Sequence, residues 1–145
     1  MKSDKKEKFR KKIFKFHEQN IIGTNELEFV KDEHVFLEHL LSAHFLDLSS
    51  EKLFEPTKKL IQKLNDVEKM RNELDDEVQT HDKHIATLLE SLQISDKKNI
   101  EKEHQRIQKD FETFHLKFKF VKKKIYNMIK EIMKEHKQKL LISNP

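Results

Sequence analysis

The chain of 145 residues holds one glycine, Gly23, and two prolines, Pro56 and Pro145. Turns and strands need such punctuation, and its scarcity leaves room for little besides a few long helices. The length suits one domain with a single modest core. Apolar residues make up 35 % and charged residues 39 %. That balance fits a thin, elongated helical bundle better than a globular α/β enzyme. Cysteine is absent, which excludes disulfides, thiolate metal sites and cysteine nucleophiles. The opening "MKSDKKEKFRKKIFKF" has no apolar run of signal-peptide length, and no segment reads as a bilayer span. A cytoplasmic protein without integral membrane insertion is the expectation.

Apolar periodicity predicts four helices, at about 4–20, 26–48, 56–92 and 96–141. The first carries Phe9, Ile13 and Phe16 on one stripe. "NIIGTN" reads as a break, after which Asn25 would cap the second helix with Glu28 completing a capping box. The second stripe is Leu27, Val30, His34, Leu37, Leu41, His44 and Leu48. "SSEKLFEP" is the next break, with Pro56 suited to a first helical turn. The third stripe runs from Leu60 through Arg71, Val78 and His81 to Leu92. "QISD" turns the chain, with Ser95 as cap, and the fourth stripe runs from Ile100 through His104, Phe111 and Val121 to Ile132. Short connections make consecutive helices antiparallel neighbours. The expected fold is therefore all-α: one domain over 1–145, an elongated up-down antiparallel four-helix bundle. Counting levels from the turns makes the hairpin of the third and fourth helices protrude by on the order of 20 Å. Its stripe of Ile85, Leu88, Leu92, Ile100 and Ile107 would need cover from a second copy or another partner. In the competing readings, the first helix slides up and covers it, or the end of the hairpin simply frays.

Nine histidines raise the question of metal. His34, His39 and His44 are conspicuous in "EHVFLEHLLSAH", but helical geometry points them in three directions over about 15 Å. His34 and Glu38, at i and i+4, resemble one ligand pattern of hemerythrin-type di-iron bundles. The companion patterns of that family are missing on the other helices. Glu101–His104 and Glu112–His115 are similar to the Glu-x-x-His pairs of ferritin-like bundles, yet both lie on one helix. The better trio is His81, His84 and His104, flanked by Glu77 and Glu101, which would suit zinc or a related divalent ion. Hydrogen-bonded structural histidines are the favoured reading even there.

Charge is uneven. Residues 1–15 sum to +6, residues 16–116 to −9 and residues 117–145 to +7. Level counting sets Lys5, Lys8, Lys11, Lys12 and Lys15 beside Lys119, Lys122, Lys123 and Lys124. Such a face would suit nucleic acid, an anionic membrane surface or an acidic protein. Lysine outnumbers arginine 27 to 3, which disfavours sequence-specific readout. No nucleophile–base spacing, glycine-rich phosphate loop or nucleotide motif is present. These features point to a non-enzymatic interaction or scaffold protein that associates with itself. A metal-binding bundle and a non-specific nucleic-acid-associated protein are the alternatives.

Overall fold

A computed structural model describes residues 2–91 and 97–143. Among them are four helices and no strand: α1 (Lys2–Ala43), α2 (Phe45–Leu48), α3 (Phe54–Ser91) and α4 (Lys97–Ser143). The all-α bundle is as expected, with α3 and α4 packed closely against each other. The helix boundaries differ from expectation in two places, at "NIIGTN" and at His44, which interrupts the helix expected to run to Leu48. The break at "NIIGTN" is absent, and α1 runs through it as one helix of 42 residues. Asn25, the expected cap, lies exposed in mid-helix.

The reason is phase. Phe9, Ile13, Phe16, Asn20, Gly23, Leu27, Val30, His34, Leu37 and Leu41 alternate steps of four and three without a slip. All are buried except the half-buried Phe16. Asn20 and Gly23, the residues that looked like punctuation, are core positions of this heptad stripe. Glycine costs a helix about 1 kcal/mol relative to alanine. Here the missing side chain admits the Phe111 ring: a Cβ on Gly23 would lie 2.7 Å from Phe111 Cζ. Burying a continuous stripe outweighs the local propensity to break.

α1 ends at His44, whose φ of −111° and ψ of 25° leave the helical range. The single turn α2 follows. Ser49 Oγ donates to the Phe45 carbonyl at 2.8 Å, and the Phe54 amide donates to the Ser50 carbonyl at 2.9 Å. Pro56 then falls within the first turn of α3, where its missing N–H costs nothing.

Packing divides the chain into two compact units, one of Met1–Val30 with Lys69–Phe114, the other of Lys31–Glu68 with His115–Pro145. In the first, Phe9 and Ile13 of α1 pack with Ile85 and Leu88 of α3 and Ile100 of α4, with Phe16 and Leu89 alongside. Contacts pair rising numbers on α1 with falling numbers on α3, and with rising numbers on α4. The expectation of a bare hairpin end is thereby corrected. Ile85, Leu88, Ile100 and Ile107 are all buried within the chain. Leu92 and the "QISD" turn with Ser95 lie outside the described residues. An unbroken α1 has a reach of about 60 Å, enough to cover the stripe that a short first helix would leave open.

In the second unit, Leu37, Leu41 and Leu48 are buried, as are Leu60, Leu64 and Val67 of α3. The α4 residues Phe118, Val121, Ile125, Ile129 and Ile132 are buried too. Thr57 Oγ1 donates to Met128 Sδ at 3.4 Å, and Lys122 Nζ donates to Glu33 at 2.8 Å. Among the described residues no helix is long and apolar enough to cross a membrane.

Two substitutions check this reading. For Gly23→Ala, helix propensity alone would add about 1 kcal/mol, while overpacking against Phe111 costs about 1–3 kcal/mol. Urea unfolding should report a net loss of about 1 kcal/mol, and a gain would show that the ring yields freely. Ile85→Ala should remove about 2–5 kcal/mol of folding stability, with no change in the state of association measured by sedimentation.

Candidate functional site

A heptad stripe is normally apolar, so polar residues in it are the natural place to look for chemistry. In the first unit the stripes place Asn20, Arg71, His81 and His104 in the core, each buried. His81 is fully enclosed. Its Nδ1 lies 2.7 Å from Glu103 Oε1, and its Nε2 lies 2.9 Å from His104 Nδ1. His104 Nε2 in turn lies 2.6 Å from Gln19 Oε1. The exposed His84 reaches the same carboxylate, with Nδ1 2.9 Å from Glu103 Oε1. Phe16 stacks on the His104 ring at 3.9 Å between centroids and 14° between planes. The result is a hydrogen-bonded row across the bundle, from His84 and Glu103 through His81 and His104 to Gln19.

Proton positions follow from which atoms must donate. Glu103 accepts, so His81 Nδ1 carries a hydrogen. Gln19 Oε1 accepts, so His104 Nε2 carries one, and Nδ1 of a neutral His104 ring is an acceptor. His81 Nε2 must then donate to it. In this arrangement His81 holds both ring protons and its charge faces the Glu103 carboxylate. Turning the Gln19 amide over reverses the pattern: its NH2 donates to His104 Nε2, His104 Nδ1 donates to His81 Nε2, and His81 gives up one proton. The two arrangements differ by one proton, and in each the Gln108 amide nitrogen, 3.3 Å from His104 Nε2, competes with Gln19 for that atom.

Burial, reinforced by the His81 charge, pushes the His104 ring down to about 4. Burial works to raise Glu103, but hydrogen bonds from His84 and His81, with their charge, outweigh it and hold this carboxyl below its usual range. A second polar contact lies close by. Asp82 Oδ1 accepts from His17 Nδ1 at 2.8 Å and from Asn20 Nδ2 at 3.1 Å, tying α1 to α3.

The sequence-predicted trio of His81, His84 and His104 is thus brought together, but through hydrogen bonds to one another and to Glu103. Among the described residues no group of three or more histidine, aspartate or glutamate side chains is arranged to hold a metal ion. The expected flanking carboxylates are elsewhere. Glu101 pairs with Lys12 at 2.8 Å, and that hydrogen bond, against the effect of burial, holds it low. Glu77 is raised by burial and by its hydrogen bond to Asp110, with Arg106 opposing. Of the conspicuous earlier histidines, His34 is buried against Glu38 and lies 3.6 Å from Glu68. His39 is exposed and His44 half-buried. Two of the lysines expected on the basic face pair with carboxylates. Lys12 meets Glu101 near the start of α4, and Lys122 meets Glu33. Lys5, Lys8, Lys11 and Lys15 belong to one unit, and Lys119, Lys123 and Lys124 to the other. The level count had folded the first helix back on the second, and an unbroken α1 removes that geometry.

Sequence reasoning missed Glu103, Gln19 and Phe16. Reflecting the hairpin about a turn near residue 94 faces His84 to His104; the observed pairing, three residues away, faces His81 to His104 and brings in Glu103. The chain matches no known protein family, curated protein or solved structure.

The row makes a pH prediction. A histidine held at about 4 binds a proton less readily in the folded chain than in the unfolded one, whose ordinary value is about 6.5. Its contribution is therefore fully present above about pH 6.5 and declines as pH falls toward 4. The total for His104 is on the order of 3 kcal/mol. Urea unfolding across this range should show the decline, and His104→Phe should flatten it.

Proposed function

We propose that this chain is a non-enzymatic helical-bundle interaction protein that associates with itself. One observation carries the reading. The three long stripes already fill the core, yet large apolar side chains remain exposed on other helix faces, again at heptad spacing. On α1 these are Ile22, Phe29 and Phe36, each more than half exposed. On α4 they are Tyr126, Met133 and Leu140, each more than two-fifths exposed. Apolar residues scattered singly over a surface need no explanation. A seven-residue recurrence on a helix whose first stripe is already covered is what a further packed helix requires.

These faces replace the hairpin end as the basis of self-association. The hydrogen-bonded histidine row supports a structural role, since both ring nitrogens of His81 and of His104 are engaged within the bundle. The nucleic-acid alternative rests on less, because two of the nine lysines expected on the basic face are engaged with Glu101 and Glu33. A cytoplasmic location belongs to the same proposal.

Sedimentation velocity between about 1 and 100 μM should show a mass above that of the monomer, dissociating on dilution. A monomer throughout this range would end the reading. Tight retention on heparin with no self-association would favour the lysine-based alternative.

A further inference from the structure

The chain carries two exposed apolar faces of opposite charge. On α1, Phe14, Ile21, Ile22 and Phe29 are exposed. The helix between residues 16 and 33 holds five acidic side chains and one basic one, Lys31. On α4, Leu116, Phe120, Tyr126 and Met133 are exposed. Residues 117 to 139 there hold nine lysines and two glutamates. We infer that the α1 face of one copy receives the α4 face of a second copy. The inference rests on the self-association proposed above and names its two surfaces.

Charge selects the pairing. Two α1 faces brought together would set carboxylates against carboxylates, and two α4 faces lysines against lysines. Only α1 against α4 brings opposite charges together around apolar side chains, so like pairings are disfavoured by repulsion. The area is of the right order. A large aromatic side chain buries about 150–250 Å² when fully enclosed; the four side chains named on each face are 43–72 % exposed, so they supply roughly half of the ~800 Å² per partner of a stable interface, and the stems of the charged side chains around them add to it. The same complementarity operates inside the chain on a small scale, where Lys122 of α4 donates to Glu33 of α1 at 2.8 Å.

A charge exchange tests the inference. Glu18 and Glu28 of α1 are exposed, as are Lys123 and Lys130 of α4, so reversing them leaves the core untouched. The double variants Glu18→Lys/Glu28→Lys and Lys123→Glu/Lys130→Glu are made separately and then combined in one chain. Circular dichroism checks the helix content of each. Sedimentation equilibrium gives the dissociation constant at low salt and at about 0.5 M salt, where surface charge is screened. Each double variant should weaken self-association by roughly tenfold or more. The combined chain should recover to within about threefold of the original, and salt should weaken the original but not abolish it. Weakening by the α1 changes alone would mean another element occupies that face and would overturn the inference. Self-association indifferent to both pairs would overturn it too, while leaving the self-association reading intact. A monomer at every concentration would remove the reading and the inference together.

Discussion

Everything in this molecule depends on an unbroken alternation of three- and four-residue steps along each long helix. An α-helix has about 3.6 residues per turn, so such steps keep every stripe residue on one side. In α1 the alternation persists from Phe9 to Leu41 across a glycine and an asparagine. Because the phase never slips, the helix never has to end. Because it continues through Gly23, it packs Phe9 and Ile13 against Ile85 and Leu88 of α3 and Ile100 of α4. Core composition, exposed faces and the placing of the lysines all follow from that single continuity.

The stripe also tolerates polar residues, and they act differently from the apolar ones. Leucine and isoleucine favour burial but accept many alignments. The His81–His104 contact at 2.9 Å accepts few, since sliding either helix by one turn would strand buried ring nitrogens without partners. A satisfied buried network adds little net stability, but half-satisfied it is costly, so it selects among alignments. The Gly23–Phe111 contact makes the same selection by shape, because only glycine leaves room for the ring.

The core was largely legible from the sequence. Each residue from Leu60 to Leu88 on the third stripe, and from Ile100 to Ile132 on the fourth apart from the half-buried Met128, is buried as its period requires. What failed was the weight given to local punctuation. Gly23, together with Asn25 and Glu28, resembles a helix break followed by a capping box, and each signal is worth about 1 kcal/mol. The stripe they interrupt is worth far more, and its phase on either side already agreed. The histidine trio was legible as a cluster, but its carboxylate was not. Level counting carries an error of a few residues, enough to exchange Glu103 for Glu101. The level count for the lysines assumed a first helix folded back upon the second, and Lys12 instead meets Glu101.

The continuity of α1 also governs how this chain can change in length. One residue inserted before Gly23 would turn the preceding stripe by about 100° and carry Phe9 and Ile13 out of the core. Seven inserted residues would nearly restore the rotation while displacing the helix by about 10 Å. Placed between Gly23 and the histidine row, such a heptad would leave Gly23 beside Phe111 and carry Gln19 two turns away from His104. The stripe alone would tolerate changes in steps of seven, but the glycine notch and the histidine row together count single turns. Between these two points α1 has a fixed number of residues, and elsewhere along the stripe its length can change only in steps of about seven.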